Sequence, residues 1–283
     1  MAFELLKPLP MFNAEEKMYP TKSIWNESIE MPSFPRLSEN KTFDVCIVGG
    51  GFAGLLTAYL LQKENKKVCI LESLDIGSGQ SGLTTAHFTS VLDQRYFQLE
   101  KTFGQKNSKL VAESHTWALQ FIEKIVADEK INCDLEKVHG YLFSHSAAGR
   151  EELSKELHSA HRAGLKAEFL SRAPVDSFDT GECLFFPNQL QLHPMKLMRA
   201  LSEIILERGG EIFVRAHVTK VHGGENSFVD IEDGYRVSAK NIVVATNTPV
   251  NDILSMHTKL AAYRTYVQAF KVPKFSVDRK SVV

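Results

Sequence analysis

The segment DVCIVGGGFAGLLTAYL, residues 44–60, constrains the fold more than any other part of this 283-residue chain. It places Gly49, Gly51 and Gly54 directly after an apolar run and directly before a helical pattern. A strand that ends in a G-x-G-x-x-G turn and continues into a helix is typical of nucleotide-binding α/β sheets. The next apolar run, 67–71, completes a strand–helix–strand unit of about 30 residues, which predicts a right-handed parallel crossover.

Each small residue of this turn has its own physical role. Gly49 makes the tight turn, Gly51 lets a pyrophosphate approach the backbone, and Ala53 and Gly54 let the helix pack closely on the strand. The pyrophosphate then lies on the N–H groups at the helix start. Glu72 ends the next strand roughly 20 residues further on, where it is expected to accept both hydroxyls of an adenosine ribose. Its charge would repel a 2′-phosphate, which disfavours NADP.

Composition excludes several other classes of protein. The net charge is −1 with acids and bases interspersed, whereas a nucleic-acid-binding protein usually carries a basic stripe. The longest apolar runs fall short of the ~20 residues that a membrane-spanning helix needs. The N-terminus is broken by prolines and lacks a signal-peptide pattern. We therefore expect a cytoplasmic protein with no integral membrane segment and no nucleic-acid partner.

Four cysteines, Cys46, Cys69, Cys133 and Cys183, form no C-x-x-C or Cys-x-His pair. Cys46 and Cys69 lie inside apolar strand candidates, where cysteine usually acts as a small hydrophobe. We expect all four thiols to be reduced and buried, and we predict no metal site.

The order of patterns predicts an α/β nucleotide-binding domain that an α+β domain interrupts. Residues 1–42 carry five prolines and are predicted to form an arm that packs on the body. The nucleotide-binding domain is assigned to residues 43–92 and 194–258. The interrupting substrate domain is assigned to residues 93–193 and 259–283.

Within these domains the patterns predict helices over 93–103, 106–128 and 194–208. After the last of these, YRVSA and KNIVVATNTPV are predicted as two separate strands, the second one buried and parallel.

FAD and NAD share the glycine fingerprint, so the loop 77–90 has to distinguish them. This loop is rich in Gly, Ser and Thr, and its N–H and hydroxyl groups suit a diphosphate and a ribityl chain. An NAD domain would usually continue with another strand–helix pair at this point. The loop thus favours FAD, and an NAD-dependent dehydrogenase is kept as an alternative.

The stretches CIVGGGFAGLLTAYLL, VCILES and IGSGQSGLTTAH resemble the FAD-binding start of the D-amino-acid oxidase/glycerol-3-phosphate dehydrogenase (DAO) superfamily. SIW, GYLF, FPNQLQLHPMK, HVTKV, VVATNTPVND and YRTYV resemble a bacterial subgroup that carries a C-terminal Rieske iron–sulfur domain. The resemblance implies a Rossmann-like FAD-binding domain (GR2-type flavoprotein), interrupted by an α+β substrate domain.

The resemblance also implies roles for individual positions. The pyrophosphate falls to Gly49, Gly50, Gly51, Phe52, Ala53 and Gly54, and the adenosine ribose to Glu72 and Ser73. The residues that run along the diphosphate and approach the isoalloxazine are Ser78, Gly79, Ser81, Thr84 and Thr85. The backbone of Val218 pairs with the adenine edge. Ala245, Thr246 and Asn247 line the nucleotide from the last strand, with Asn247 in place of the usual glycine.

His87 raises the question whether the flavin is bound covalently. Some relatives link the flavin covalently to a histidine here, but Ala86 occupies the matching position in this chain. We therefore expect His87 to lie near the flavin without a covalent bond.

In this superfamily a hydride leaves a C–H bond next to an amine or hydroxyl, so small-molecule substrates such as amino acids, amines and hydroxy acids are implied. Arg264 is the candidate clamp for a substrate carboxylate, flanked by Tyr263 and Tyr266. An ordinary strand with a surface arginine is the alternative reading. His193 precedes a helix and is more often structural than catalytic in such a position.

The pattern of the superfamily continues beyond what this sequence contains. The further flavin-domain strands and the Cys-x-His pairs of the Rieske domain are not found, so we expect a C-terminally truncated chain. In intact relatives the Rieske domain would accept the electrons. A flavin-fold protein that binds nucleotide weakly or not at all, without catalysis of its own, is the alternative function.

Overall fold

A computed structural model describes residues 23–144, 149–175 and 178–250 of the chain. The helices in these ranges are α1 (Ile24–Glu27), α2 (Phe52–Lys63), α3 (Tyr96–Asp128), α4 (Gly149–Arg162) and α5 (Pro194–Glu207), with a 3-10 turn at Gln80–Leu83. The strands are β1 (Lys41–Val48), β2 (Val68–Leu71), β3 (His87–Phe88), β4 (Glu136–Phe143), β5 (Glu168–Leu170), β6 (Cys183–Gln191), β7 (Glu211–Phe213), β8 (Val218–His222), β9 (Phe228–Ile231) and β10 (Arg236–Val244).

The first sheet has the strand order β7-β2-β1-β10-β9-β8. Its β7, β2, β1 and β10 run parallel, whereas β10, β9 and β8 form an antiparallel meander. The carboxyl ends of these parallel strands therefore lie at the same edge of the sheet, where the glycine turn follows β1. This is the arrangement that the strand–helix–strand pattern of residues 43–71 predicted.

The two strands predicted from YRVSA and KNIVVATNTPV form one continuous strand, β10, so the predicted break between them is wrong. The charged Lys240 lies inside this strand, where its side chain is exposed and its ammonium pairs with the Asp44 carboxylate at 2.8 Å. The β10 backbone stays paired with β1 from Val237 to Val244. A polar residue is compatible with a strand when its side chain reaches solvent and its backbone stays in the ladder.

Alternate residues of β1 and β2 face two different core clusters. Ile47 and Ile70, both fully buried, pack with Leu55 of α2 and with Leu197 of α5. Cys46, Val48, Cys69 and Leu71 belong to the other cluster, which includes Phe213 and residues of β8–β10. Burial on both faces explains the continuous apolar runs of these strands. All four cysteines are buried free thiols, as expected.

The second sheet has the order β3-β6-β4, with β5 also paired to β6. Helices α3 and α4 contribute to a third apolar cluster beside it, around Tyr96, Leu184 and Phe186. The two helices predicted over 93–103 and 106–128 are one element, α3, interrupted at Gly104, whose φ of 80° and ψ of 162° are not helical.

Glu156 of α4 is buried where α3 begins, with 1% of its surface exposed. One carboxylate oxygen accepts the N–H of Phe97 at 3.3 Å, and the other has no hydrogen-bond partner among the described residues. Burial raises the pKa of this carboxyl above its usual range. A raised pKa in the folded state means that Glu156 costs stability as the pH rises through that pKa.

Glu156→Gln is therefore expected to stabilise the protein at pH 8, with a Tm about 2–4 °C higher, or about 1 kcal/mol. The amide oxygen keeps the acceptor for Phe97, and the buried charge is gone. Near pH 4.5 the gain should shrink, because the wild-type carboxyl is then protonated. Thermal melts at both pH values test this, with the exposed Glu152→Gln on the same helix as the control. Equal gains at the two pH values would contradict the expectation.

Candidate functional site

The turn between β1 and α2 accepts only glycine at two positions. Gly49 has a φ of 111°, and a Cβ added there would lie 2.7 Å from the carbonyl oxygen of Ala245. A Cβ on Gly54 would lie 1.9 Å from the carbonyl oxygen of Gly49. Helix α2 begins at Phe52 with Gly51 as its N-cap, and no side chain of the cap residue bonds the helix start. A helix N-terminus whose cap residue makes no side-chain bond, at a close-packed turn, suits an anionic ligand.

The carboxylate of Glu72 ties the end of β2 to this turn. One oxygen accepts the N–H of Gly50 at 2.7 Å, and the other accepts the N–H of Leu74 at 2.9 Å and the hydroxyl of Ser73 at 3.2 Å. A Cβ on Gly50 would lie 2.4 Å from the Cδ1 of Ile76 and 3.1 Å from the Cβ of Glu72. Because a carboxylate has about four acceptor positions, Glu72 keeps capacity for a further donor.

A second close glycine contact shapes the loop that follows β2. Gly77 has a φ of 78°, and a Cβ on Gly82 would lie 1.9 Å from the carbonyl oxygen of Gly77. This repeats the five-residue spacing and the close approach of Gly49 and Gly54. The sequence assigned the loop to the cofactor but did not predict this second contact, although the spacing was visible in GSGQSG.

Ser81 brings this loop against the start of α2. Its hydroxyl oxygen accepts the N–H of Phe52 at 3.2 Å, and it lies 2.9 Å from where a Cβ on Gly51 would be. The loop also carries Ser78, Gly79, Thr84 and Thr85. The structure thus brings the hydroxyl-rich loop and the glycine turn together at one helix N-terminus.

His87 follows this loop, as the first residue of β3. Its Nε2 is buried and has no hydrogen-bond partner among the described residues, while its Nδ1 lies 3.3 Å from the Thr85 hydroxyl. Burial lowers the pKa of the imidazole, which favours the neutral ring at pH 7. The ring of its neighbour Phe88 meets the ring of Phe52 edge-on, with centroids 5.7 Å apart. A buried nitrogen without a partner is a position where a ligand's polar atom would be accepted.

The last strand reaches the same turn. The N–H of Ala245 donates to the carbonyl oxygen of Val48 at 2.8 Å, so the chain after β10 stays beside β1 up to the turn. Thr246 follows, with its hydroxyl bonded to the carbonyl of Thr248 at 2.6 Å, and Asn247 is exposed.

Val218 lies at the buried start of β8. The segment that precedes it runs beside the loop after β2, since Ala216 N–H donates to the carbonyl of Glu72 and Arg215 N–H to that of Leu74. Arg215 also forms an ion pair with Asp75, which the sequence did not predict. The segment before Val218 is therefore joined to the Glu72 side of the turn.

His193 has a structural position, in agreement with the commoner reading of a histidine at a helix start. It is the N-cap of α5, with its Nδ1 accepting the N–H of Lys196 at 3.3 Å. Arg264, Tyr263 and Tyr266 lie outside the described residues.

The described ranges contain no group of three or more His, Cys, Asp or Glu side chains that could hold a metal ion. None of the described helices has the length and apolarity required to cross a membrane.

The parallel sheet, the glycine turn and the close-packed loop define an α/β protein of the dinucleotide-binding class. Residues 44–282 match the model of the DAO family, described as FAD dependent oxidoreductase, and the chain belongs to that family. The family, the fold class and the FAD cofactor predicted from the sequence are thereby confirmed. The start of α2, whose cap residue makes no side-chain bond, and the buried Nε2 of His87, without a partner among the described residues, fit such a cofactor.

Two curated relatives illustrate the similarity. The chain is 28% identical over 274 residues to the putative Rieske 2Fe-2S iron-sulfur protein YhfW of Bacillus subtilis, covering 92% of this chain and 53% of the relative. It is 25% identical to the gamma-glutamylputrescine oxidoreductase of Escherichia coli, covering 77% of this chain and 52% of the relative. The chain thus spans about half the length of the curated relatives it matches.

Solved structures show the same fold at lower identity. Glycine oxidase from Geobacillus kaustophilus superposes with a TM-score of 0.61 at 18% identity, over 73% of this chain and 55% of that one. L-proline dehydrogenase from P. horikoshii superposes with a TM-score of 0.58 at 15% identity, over 76% and 54%.

Proposed function

We propose that this chain forms the FAD-holding part of an oxidoreductase that takes a hydride from a C–H bond next to an amine. The observation that carries the proposal is the meeting of two close-packed glycine contacts, Gly49–Gly54 and Gly77–Gly82, at the start of α2. The names of similar proteins point to amino acid and amine substrates; glycine oxidase and gamma-glutamylputrescine oxidoreductase are two of them. A hydroxyl in place of the amine stays within the same reaction class.

Different residues around the start of α2 would bind different parts of FAD. The turn from Gly49 to Gly54 would hold a pyrophosphate at the start of α2, and Glu72 with Ser73 would face the adenosine ribose. Within this turn, the N–H of Gly50 already donates to Glu72 and that of Phe52 to Ser81. The loop carrying Ser78, Gly79, Ser81, Thr84 and Thr85 lines the diphosphate and leads to the ring system. Val218, Ala245, Thr246 and Asn247 border the nucleotide from the later strands.

The bound FAD would supply the hydride acceptor, and the protein would orient the substrate beside it. His87, held neutral by burial, offers Nε2 as a hydrogen-bonding atom near the ring system without a covalent link. Arg264 is proposed to clamp a substrate carboxylate through two parallel N–H···O bonds, with Tyr263 and Tyr266 beside it.

The domain assignment belongs to the same proposal. Strands β1, β2, β7 and β10 form the nucleotide-binding part, in line with residues 43–92 and 194–258, and β4–β6 belong to the substrate part, residues 93–193. Strand β3, near the end of the first of these ranges, pairs with β6 of the substrate part. An arm over residues 1–42 and a substrate-domain return over 259–283 complete the division.

Partner and location are proposed as well. An iron–sulfur domain is the proposed electron acceptor, since one relative is named as a Rieske protein. A cytoplasmic location is supported by the four buried free thiols, which suit a reducing compartment.

The test is FAD uptake by the purified chain. We expect a flavin absorbance band that acid precipitation releases into the supernatant, which also excludes a covalent bond to His87. A colourless protein that takes up no added FAD would overturn the proposal.

Gly51→Val should abolish this uptake, because its side chain would fill the space between Gly51 and the Ser81 hydroxyl at the helix start. Thr57→Val, at a half-buried position further along α2, is the matched control and should bind FAD like the wild type. Retained flavin in Gly51→Val would contradict the placement of the pyrophosphate.

A further inference from the structure

A short segment before β1, Ser23–Ser28, is bonded to the loop that carries Ser81; we call it the strap. The Ser23 hydroxyl donates to the carbonyl oxygen of Gly82 at 2.7 Å. The indole N–H of Trp25 donates to the carbonyl oxygen of Thr84 at 2.8 Å. Each bond joins residues that lie 59 positions apart in the chain, so the strap gives two carbonyl groups of the loop donors from outside the loop.

The other side of the strap is fixed to the start of α5. Because the Nδ1 of His193 accepts the N–H of Lys196, its Nε2 carries the proton and donates to the Ser28 hydroxyl at 2.8 Å. The Ser28 hydroxyl in turn donates to the carbonyl of Trp25 at 3.0 Å, and the rings of Trp25 and His193 meet edge-on at 5.1 Å. Trp25 is therefore held by the ring of His193 and by the Ser28 hydroxyl, in addition to its bond to the loop.

The loop needs such support just after Thr84. Ala86 has a φ of 65°, a left-handed conformation that costs a residue with a Cβ about 1–2 kcal/mol. The N–H of Ala86 donates to the Thr84 hydroxyl at 3.2 Å, and His87 follows directly, with a buried Nε2 that has no partner in the described part of the chain. The bond from Trp25 to Thr84 thus fixes the residue that sets the backbone leading into His87.

We propose that Trp25 is a positioning residue that holds the loop 77–87 in the conformation that accepts FAD, with Ser23 as a second tie. The proposal rests on the proposed FAD site and adds to it an element from before the nucleotide fold. Trp25 acts through the backbone of Thr84, and its indole N–H, rather than the size of its ring, carries the effect.

The test compares Trp25→Phe with Trp117→Phe. The chain has two tryptophans, and Trp117 lies on the outer face of α3 with 59% of its surface exposed. Both substitutions replace an indole by a phenyl ring, but only Trp25→Phe removes a hydrogen bond to the loop. In Trp25→Phe, packing against His193 is largely kept, while the Thr84 carbonyl loses its donor.

We expect Trp25→Phe to weaken FAD binding roughly tenfold, the usual effect of leaving one carbonyl unsatisfied. Trp117→Phe should bind FAD like the wild type. Trp25→Phe should also reduce the rise in Tm on adding FAD and alter the visible circular dichroism of the bound flavin. Ser23→Ala should act in the same direction. Equal affinities and spectra for Trp25→Phe and the wild type would overturn the proposal.

Hydrogen exchange of the protein without FAD separates this inference from the proposed function. Peptides covering residues 77–87 should exchange faster in Trp25→Phe than in Trp117→Phe, with the β1 and β2 peptides unchanged. If the wild type takes up no FAD, the proposed function fails, and faster loop exchange still identifies Trp25 as the residue that holds the loop. Unchanged exchange in the loop would overturn the positioning role by itself.

Discussion

Gly54→Ala is expected to abolish FAD binding and to lower the free energy of unfolding by about 3 kcal/mol. The added Cβ would lie 1.9 Å from the carbonyl oxygen of Gly49 and 3.0 Å from its carbonyl carbon. Both are backbone atoms of the turn, so no side-chain rotation relieves the overlap. Helix α2 would have to move away from β1, which widens the turn and separates Leu55 from the core around Ile47. Urea unfolding and FAD titration measure the two effects.

Gly223→Ala is the matched control for this change. Gly223 precedes the β8–β9 turn, its φ is not in the left-handed region, and nothing lies within 4 Å of an added Cβ. The same chemical change should therefore leave stability and FAD affinity as they are in the wild type. Wild-type affinity in Gly54→Ala would contradict the close packing of α2 on the turn.

Gly82→Ala should cause a large loss of FAD affinity but, unlike Gly54→Ala, only a small loss of stability. Its Cβ would lie 1.9 Å from the carbonyl oxygen of Gly77 and 3.2 Å from the Oδ1 of Asn26 in the strap. The loop would be displaced from the start of α2, whereas the parallel sheet and its core clusters would stay intact. We expect affinity to fall roughly 100-fold, or about 3 kcal/mol, with a decrease in Tm of only a few degrees.

The pair of variants separates the roles of the two glycine contacts, with Gly223→Ala again as the control. Parallel titrations and thermal melts of all three proteins suffice. If Gly82→Ala unfolded as readily as Gly54→Ala, the loop would be part of the folding core and not a separate binding element. If it bound FAD normally, the loop would not line the site.

Much of the nucleotide-binding fold was predictable because its signals are local. Residues 43–71 contain the strand, the turn and the helix in immediate succession, and the periodicity of each element is written into about 30 residues. The kink in α3 was also visible, since a glycine at 104 separates two helical patterns. The same local pattern was wrong at β10, where two predicted strands form one, and the charged Lys240 inside it pairs with Asp44 at the surface.

The candidate site was also predictable only in part. Gly49, Gly51, Gly54 and Glu72 follow from spacing, and the structure brings them together at one helix start. The contacts between Ser81 and Phe52, and between the strap and the loop, could not be read from spacing. They join segments 29 and 59 residues apart, and such contacts depend on how the layers pack.

The sequence by itself determined the crossover, its glycine turn and the class of ligand, because close backbone approach excludes every side chain at Gly49 and Gly54. It also determined that the loop after β2 would be rich in hydroxyl groups. Only the tertiary structure decided where that loop lies and what holds it there. Trp25 reaches the Thr84 carbonyl because α5 and His193 position the strap beside the loop, and that arrangement exists only in the packed protein.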